Sequence, residues 1–270
     1  QLIERRDPQL LSGGRRDDID RYLRSTLSPG EVDVVSTSIP NISASRAANR
    51  LNLMGSAFTV DAACASSLLA VEQAVWRLRR RQSDLAVTAG IFLTSTPTFA
   101  HVFTRVGALS PTGSIRPFDR RADGLVIGEG AGSVILKRLD DAVRDGDEIY
   151  AVIKGVGMSS DGRDVDVLAP SSKGQIKALE RAYADAKLDP ATIGYLEAHG
   201  TGTLAGDRTE VATITRFYGE SNGPATQRGM GTVKSMIGHT MPASGMAALI
   251  KPALWLCRQT LPPRLHREEP

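Results

Sequence analysis

Apolar residues recur along this chain in two ways, as stripes near the 3.6-residue helical period and as short continuous runs. Their alternation predicts an α/β protein. After Cys64, the residues Leu68, Val71, Val75 and Leu78 fall at offsets of 4, 7, 11 and 14, the stripe of a helix over about 64–82. Further helices are expected near 173–187, 207–218 and 243–258. Between them stand runs rich in β-branched and apolar residues: AFTVDA (57–62), DLAVTAG (84–90), GSVILK (132–137), EIYAVIKGVG (148–157), IGYLEA (193–198) and GMGTVK (229–234). These read as buried strands. The polar stretch GESNGPATQR (219–228) reads as a surface loop, and no stretch has the composition of a domain linker.

Composition narrows the function classes. The chain has 270 residues, 41% of them hydrophobic, enough to bury a large interior. Net charge is only +3 and aromatics make up 5%, with no basic stripe, which speaks against nucleic-acid binding. The run LRRRQ (78–82) is either the solvated end of a helix or a patch for an acidic partner. No stretch approaches the ~20 apolar residues of a membrane span, and the first residues lack a signal-peptide pattern, so a cytoplasmic location is expected. Two cysteines make no disulfide framework, and Cys257, in the apolar run ALWLC, reads as core. Asn41-Ile42-Ser43 fits a glycosylation sequon, which matters only in a secreted protein. Four histidines and two cysteines show no short paired spacing, so no metal site is expected. GEGAG (128–132) precedes a strand instead of opening a helix, which argues for close backbone packing and against a dinucleotide site.

The chemistry concentrates at three positions. Cys64, in VDAACASS, sits where an apolar run turns into a helix. Free backbone N–H groups and the dipole of a first helical turn favour thiolate, so its pKa is expected below the ordinary value. Ala62, Ala63, Ala65 and Ser66 suit a tight turn that a carbonyl substrate can approach. His199 follows the run IGYLEA and opens HGTGT, whose Gly200 and Gly202 permit unusual backbone geometry. His239 closes KSMIGH after GMGTV. Loops just past strand ends are where rigid sheets present chemistry. His101 and His266 lack such a setting and read as ordinary polar residues, and Phe99 and Phe103 read as core.

On these residues the chain resembles the β-ketoacyl synthases of polyketide and fatty acid synthesis. VDAACASS is similar to that family's nucleophile segment, EAHGTGT to its first histidine segment, and VKSMIGHT to its lysine and second histidine segment. Order and spacing agree, with His199 lying 135 residues after Cys64 and His239 a further 40 on. NISASRAANRLNL, GALSPTGSIRPFD, ADGLVIGEGAG, GDEIYAVIKGVG and LPPRLH extend the likeness almost from end to end.

The resemblance implies a thiolase-like fold, two similar αβ halves in five αβαβα layers, incomplete at both termini. It implies one partial synthase domain over 1–270, with Cys64 in a half of about 1–150 and both histidines in a half of about 151–270. It implies a decarboxylative Claisen condensation: Cys64 carries the acyl chain, and His199 and His239 stabilise the enolate of a malonyl-type extender. Lys234, Glu210 and Asp207 are implied as supporting charges, with a solvated ion pair as the plainer reading. Thr201 and Thr203 are implied as phosphopantetheine contacts, with local turn bonds as theirs. No cofactor is expected to be bound by the domain itself; substrates would arrive on the phosphopantetheine of an acyl carrier protein. A homodimer and neighbouring domains such as an acyltransferase are further expectations. Ala248, nine positions after His239, stands where the dissociated bacterial enzymes carry glutamate, so the chain is more similar to multidomain type I synthases. SSDGRDVDVLAP and VKSMIGHTMPASG are similar to segments of iterative polyketide and polyunsaturated fatty acid synthases.

Two other readings compete. A chain-length-factor-like partner would keep the fold without the cysteine, and Cys64 opposes that. A thiolase would need a second catalytic cysteine, and Cys257 has no turn around it. The chain starts at Gln1, reaches its first methionine at Met54 and shows no GGTNAH-like segment. An internal piece of a longer polypeptide is therefore expected, inactive alone in the least favourable case.

Overall fold

The computed structural model of the chain describes residues 39–94, 97–163, 169–219, 228–260 and 265. They fall in two compact units, 1–59 and 60–270. In the first, helix α1 (Pro40–Arg50) opens with proline at a position that needs no N–H donor. Asn41 Oδ1 accepts a bond from the Thr59 amide at 3.1 Å, tying the described end of this unit back to the start of the helix.

The second unit carries the remaining elements. A 3₁₀ turn at Ala63–Ala65 leads into α2 (Ser66–Arg79), followed by β1 (Leu85–Phe92), α3 (Pro97–Arg105), β2 (Gly130–Lys137) and α4 (Leu139–Asp145). Then come α5 (Ser172–Ala186), β3 (Tyr195–Glu197), α6 (Leu204–Gly219), β4 (Gly229–Gly231), α7 (Lys234–Ile237) and α8 (Ser244–Arg258). β1 and β2 pair antiparallel from Leu85 opposite Lys137 to Phe92 opposite Gly130. β3 and β4 pair parallel, Tyr195 with Gly229 through Glu197 with Gly231. The four helices expected beyond residue 60 all form, each shifted by a few residues at its start.

Two expected strands do not form ladders among the described residues. The run 57–62 has no assigned strand, and neither does 148–157. In the second, the backbone donor of Val156 is taken by a side chain, Asp185 Oδ2 at 2.9 Å, so the run is tied to α5 instead of to a neighbouring strand. Gly155 lets that backbone pass close to the helix: a Cβ there would lie 2.5 Å from the Ala186 nitrogen. Arg79 of α2 makes a two-pronged ion pair with the same Asp185, at 2.7 and 2.8 Å.

Two apolar clusters hold this unit together. Val71 and Val75 of α2 meet Met246 of α8, with Val134, Leu136, Ile153, Val156, Leu249 and Ile250 packed around them. Leu68, expected in the same stripe, stays 43% exposed, because the buried face of α2 runs through Ser67, Val71, Ala74 and Val75. Ile115, Leu125 and Met241 form the second cluster, against which Cys64, Phe92, Phe99 and Phe103 pack. Truncating a buried side chain such as Val71 or Met246 costs about 2–5 kcal/mol at typical core sites. The GEGAG expectation holds at Gly132, where a Cβ would lie 3.1 Å from Ile250 and 3.2 Å from Met246. Cys257 is exposed, not core, since it falls on the outward side of α8. His266 lies outside the described residues. No described helix is long and apolar enough to cross a membrane.

Candidate active site

The backbone around Cys64 is held by its small polar neighbours. Ser66 Oγ donates to the Ala63 carbonyl at 2.6 Å and accepts from the Ala62 amide at 2.9 Å, while Asp61 Oδ1 accepts from the Ala63 amide at 2.9 Å. These bonds fix Ala63 at φ 49°, a left-handed conformation that costs a non-glycine residue roughly 1–3 kcal/mol. Cys64 thus follows a sharp turn, as expected. Its titration does not match the expectation. Burial against the Ile115, Leu125 and Met241 cluster pushes the thiol up from its ordinary value, and the opposing pull of Lys234 and of its own backbone N–H does not overcome it. The short 3₁₀ turn places the sulfur among apolar side chains, where desolvation outweighs the dipole.

The parallel β3–β4 pair sets the other half of the site, because parallel strands put their C-terminal ends on the same edge. Pairing continues past the strands, with the Ala198 amide donating to the Gly231 carbonyl at 2.7 Å and Thr232 Oγ1 donating to the His199 carbonyl at 3.3 Å. His199 and Lys234 leave that edge together, and Lys234 Nζ stands 3.5 Å from His199 Nδ1. His239 is brought in by a parallel bridge with Ile127. The two imidazoles meet edge to face, with centroids 5.5 Å apart and planes at 89°.

Each ring is oriented by what binds its Nδ1. The amide of Met241, itself at φ 46°, donates to His239 Nδ1 at 3.1 Å, so the His239 proton lies on Nε2. Lys234 Nζ faces His199 Nδ1, which leaves that ring the same tautomer. Burial and then the Lys234 cation push His199 down from 6.5 to about 3, and burial, Lys234 and His199 push His239 down as well. His199 keeps an exposed edge, so water offsets part of its desolvation, whereas the cation at 3.5 Å acts on the ring directly. Both causes disfavour imidazolium. Two neutral rings with Nε2–H donors follow.

Lys234 is only 2% exposed. Burial lowers its pKa, and Glu210, the Cys64 sulfur, Glu197 and Asp207 act in the opposite direction, in that order. Cys64 therefore shares an electrostatic neighbourhood with the histidine cluster, and Ser244 Oγ reaches its carbonyl at 3.4 Å. Glu210 clamps the HGTGT turn: Oε1 accepts from the His199 amide at 2.6 Å and Oε2 from the Gly200 amide at 2.8 Å. Burial raises the Glu210 pKa against those two bonds. Asp207 is buried and accepts from the Gly202 amide at 3.1 Å and the Phe118 amide at 2.7 Å. The plainer reading of a solvated ion pair thus fails for Asp207 and Lys234, both of which are buried. Thr201 and Thr203 share a hydroxyl–hydroxyl bond of 2.9 Å.

Several residues escaped the sequence reading. Met241 and Phe118 matter through backbone amides and left-handed φ, which leave no mark on residue type. Glu197 accepts the Val233 amide at 2.5 Å and Lys251 Nζ at 2.8 Å. A charged residue in a short strand was the available signal for Glu197, and an isolated lysine inside the apolar run of α8 was the signal for Lys251. A cavity of about 540 Å³ lies between β2 and α8, lined by residues including Gly132, Val233, Ile250, Lys251 and Trp255; Cys64, His199 and His239 do not line it. Among the described residues no group of three or more His, Cys, Asp or Glu side chains is placed to hold a metal.

Residues 12–142 match the model of the β-ketoacyl synthase N-terminal domain, and residues 150–268 match that of its C-terminal domain. The chain belongs to the β-ketoacyl synthase family. This ketosynthase chain is 43% identical over 228 residues to a phenolphthiocerol/phthiocerol polyketide synthase chain of Mycobacterium tuberculosis, a match covering 84% of the chain and 12% of that relative. It superposes with a TM-score of 0.83 and 39% identity on the ketosynthase from module 6 of the bacillaene synthase of Bacillus subtilis 168, over 85% of this chain and 41% of that one. An oxazolomycin ketosynthase domain of Streptomyces albus JA3453 gives a TM-score of 0.86 at 33% identity, over 93% and 44%. The ketosynthase chain has the thiolase-like fold of these structures. It spans about two fifths of the length of the solved ketosynthases and about an eighth of the mycobacterial synthase.

Proposed function

We propose that this ketosynthase catalyses a decarboxylative Claisen condensation between an acyl group on Cys64 and a malonyl-type extender on a carrier protein, in polyketide or fatty acid synthesis. Cys64 attacks an acyl thioester; the new S–C bond replaces the one to phosphopantetheine, whose departing sulfur takes up the thiol proton. The extender then loses carbon dioxide, and the electrons of the broken C–C bond become an enolate whose oxygen needs donors already in place. The enolate carbon attacks the acyl carbonyl, the C–S bond breaks and Cys64 leaves as thiolate that regains a proton from solvent, and a β-ketoacyl thioester remains on the carrier.

The observation that carries this reading is the pair of imidazoles, edge to face, each with Nδ1 engaged, an arrangement that leaves the Nε2–H of a neutral ring to serve a developing oxyanion. A preorganised donor of this kind is worth about 2.7–4 kcal/mol of barrier. Burial and then Lys234 disfavour imidazolium at both rings, and Lys234 favours the thiolate form of Cys64 against the larger effect of burial. Glu210 and Asp207 hold the loop that presents His199, and Thr201 and Thr203 offer hydroxyls to a phosphopantetheine arm.

The carrier would be an acyl carrier protein, the neighbouring domains those of a type I synthase such as an acyltransferase, and the assembly a homodimer. Residues 1–270 would form one domain with halves dividing near residue 150. A nucleophilic thiol needs a compartment that keeps cysteines reduced, which favours the cytoplasm. The test is intact-mass analysis of the full-length protein after incubation with acyl and malonyl carrier substrates. An acyl adduct on Cys64 and a β-keto product are expected, and product formation undiminished in Cys64→Ala would refute the assignment.

A further inference from the structure

Glu197 sits on β3 two residues before His199, and its side chain is 8% exposed. One carboxylate oxygen accepts from the amide of Val233, the residue immediately before Lys234, at 2.5 Å. The other accepts from Lys251 Nζ and from the Tyr195 hydroxyl, both at 2.8 Å. Lys251 belongs to α8, is 12% exposed at its side chain, and also reaches the Tyr195 hydroxyl at 3.3 Å. Trp255, one turn further along α8, packs on the Tyr195 ring with centroids 4.7 Å apart. Gly231 makes room for this cluster, since a methyl group there would strike the Tyr195 hydroxyl and stand 3.4 Å from Lys251 Nζ.

We propose that Lys251 is a positioning residue that, through Glu197, sets the register between the strand leading to His199 and the segment carrying Lys234 and His239. Without a counter-charge, a carboxylate this buried would protonate or turn toward water, and the Val233 amide would lose its acceptor. Val233 precedes Lys234, whose Nζ stands 3.5 Å from His199 Nδ1 and so fixes the orientation and tautomer of that ring. A shift of about 1 Å in such a support can lower a rate by roughly 10²-fold. Glu197 also ranks among the charges that favour the protonated form of Lys234. The inference rests on the condensing reading above, but it assigns to α8 a part that the reaction itself does not require of it.

The test separates the two half-reactions in the full-length protein. Lys251→Met should release carbon dioxide from malonyl carrier about tenfold more slowly, by analogy with other losses of support at a site, with a clearly smaller loss of about two- to threefold in loading of Cys64, because Lys234 is displaced but its charge is kept. Lys251→Arg, which keeps a donor for Glu197, should recover most of that rate. Equal losses of loading and decarboxylation would show a general structural role, and unchanged decarboxylation would show no role; either result overturns the proposal. Should Lys251→Met fail to fold, Lys251→Gln decides, because it keeps a polar donor beside Glu197 while removing the counter-charge. A selective fall in decarboxylation supports the proposal, and no fall overturns it. Absence of both half-reactions in wild type would sink the condensing reading instead, so the two failures are distinguishable.

Discussion

The turn that carries Cys64 and the basin that carries His199, Lys234 and His239 are built on opposite principles. Cys64 is set by apolar packing against the Ile115, Leu125 and Met241 cluster, on which Phe92, Phe99 and Phe103 also pack, and short side-chain bonds shape its backbone. The basin is set by charge and hydrogen bonds: two carboxylates hold backbone amides, a buried lysine faces one ring, and an amide faces the other. Burial moves the groups of both regions toward neutrality, raising the thiol and lowering the imidazoles and the lysine. A neutral thiol and two neutral N–H donors form a site with little net charge of its own, ready to stabilise an anion that appears only during reaction.

Changes at each region should therefore fail differently. The largest effect belongs to the sulfur: Cys64→Ala should abolish acyl loading and lower condensation by about 10³-fold or more, checked by intact mass and product formation. Lys234→Met should come next, because it removes the charge that favours thiolate and disfavours imidazolium. The Cys64 pKa should rise further and those of His199 and His239 should rise toward the ordinary value, with loading slowed by about tenfold. Alkylation of Cys64 by iodoacetamide sharpens the contrast, since a raised thiol pKa means a rate that keeps climbing through pH 9 without levelling off near neutrality. A plateau near pH 7 would restore the dipole-driven thiolate.

The smallest effect is on stability. An imidazole whose pKa is depressed in the folded state binds fewer protons there than in the unfolded chain once the pH drops below 6.5. The histidines' contribution is thus fully present above about pH 6.5 and is lost as pH falls toward about 3, so the melting temperature should decline across that window. His199→Gln should flatten part of the decline.

Much of this was legible beforehand, and the parts that were not share a cause. Residue type and spacing pointed to Cys64 and both histidines as candidates, because each contributes a side chain whose chemistry is its own, whereas Lys234, Glu210 and Asp207 came only from the family resemblance. The helices expected near 173–187, 207–218 and 243–258 were readable because an amphipathic period repeats over several turns, whereas the single turn Lys234–Ile237 is too short to show one. Residues 148–157 misled because an apolar run tells of burial but not of hydrogen-bond partner, and here the partner of Val156 is the Asp185 side chain. Cys64 misled on its pKa because the dipole is local and legible, whereas desolvation depends on residues 50 to 180 positions away. Met241 and Phe118 act through backbone conformation, which their side chains do not announce.

The most direct measurement is carbon dioxide release from malonyl carrier protein by the full-length protein bearing His199→Ala or His239→Ala, taken beside Cys64 loading in the same samples. Loading should persist while release falls about 10²–10³-fold in each variant. Release at the wild-type rate in both variants would contradict the role of the two rings as oxyanion donors.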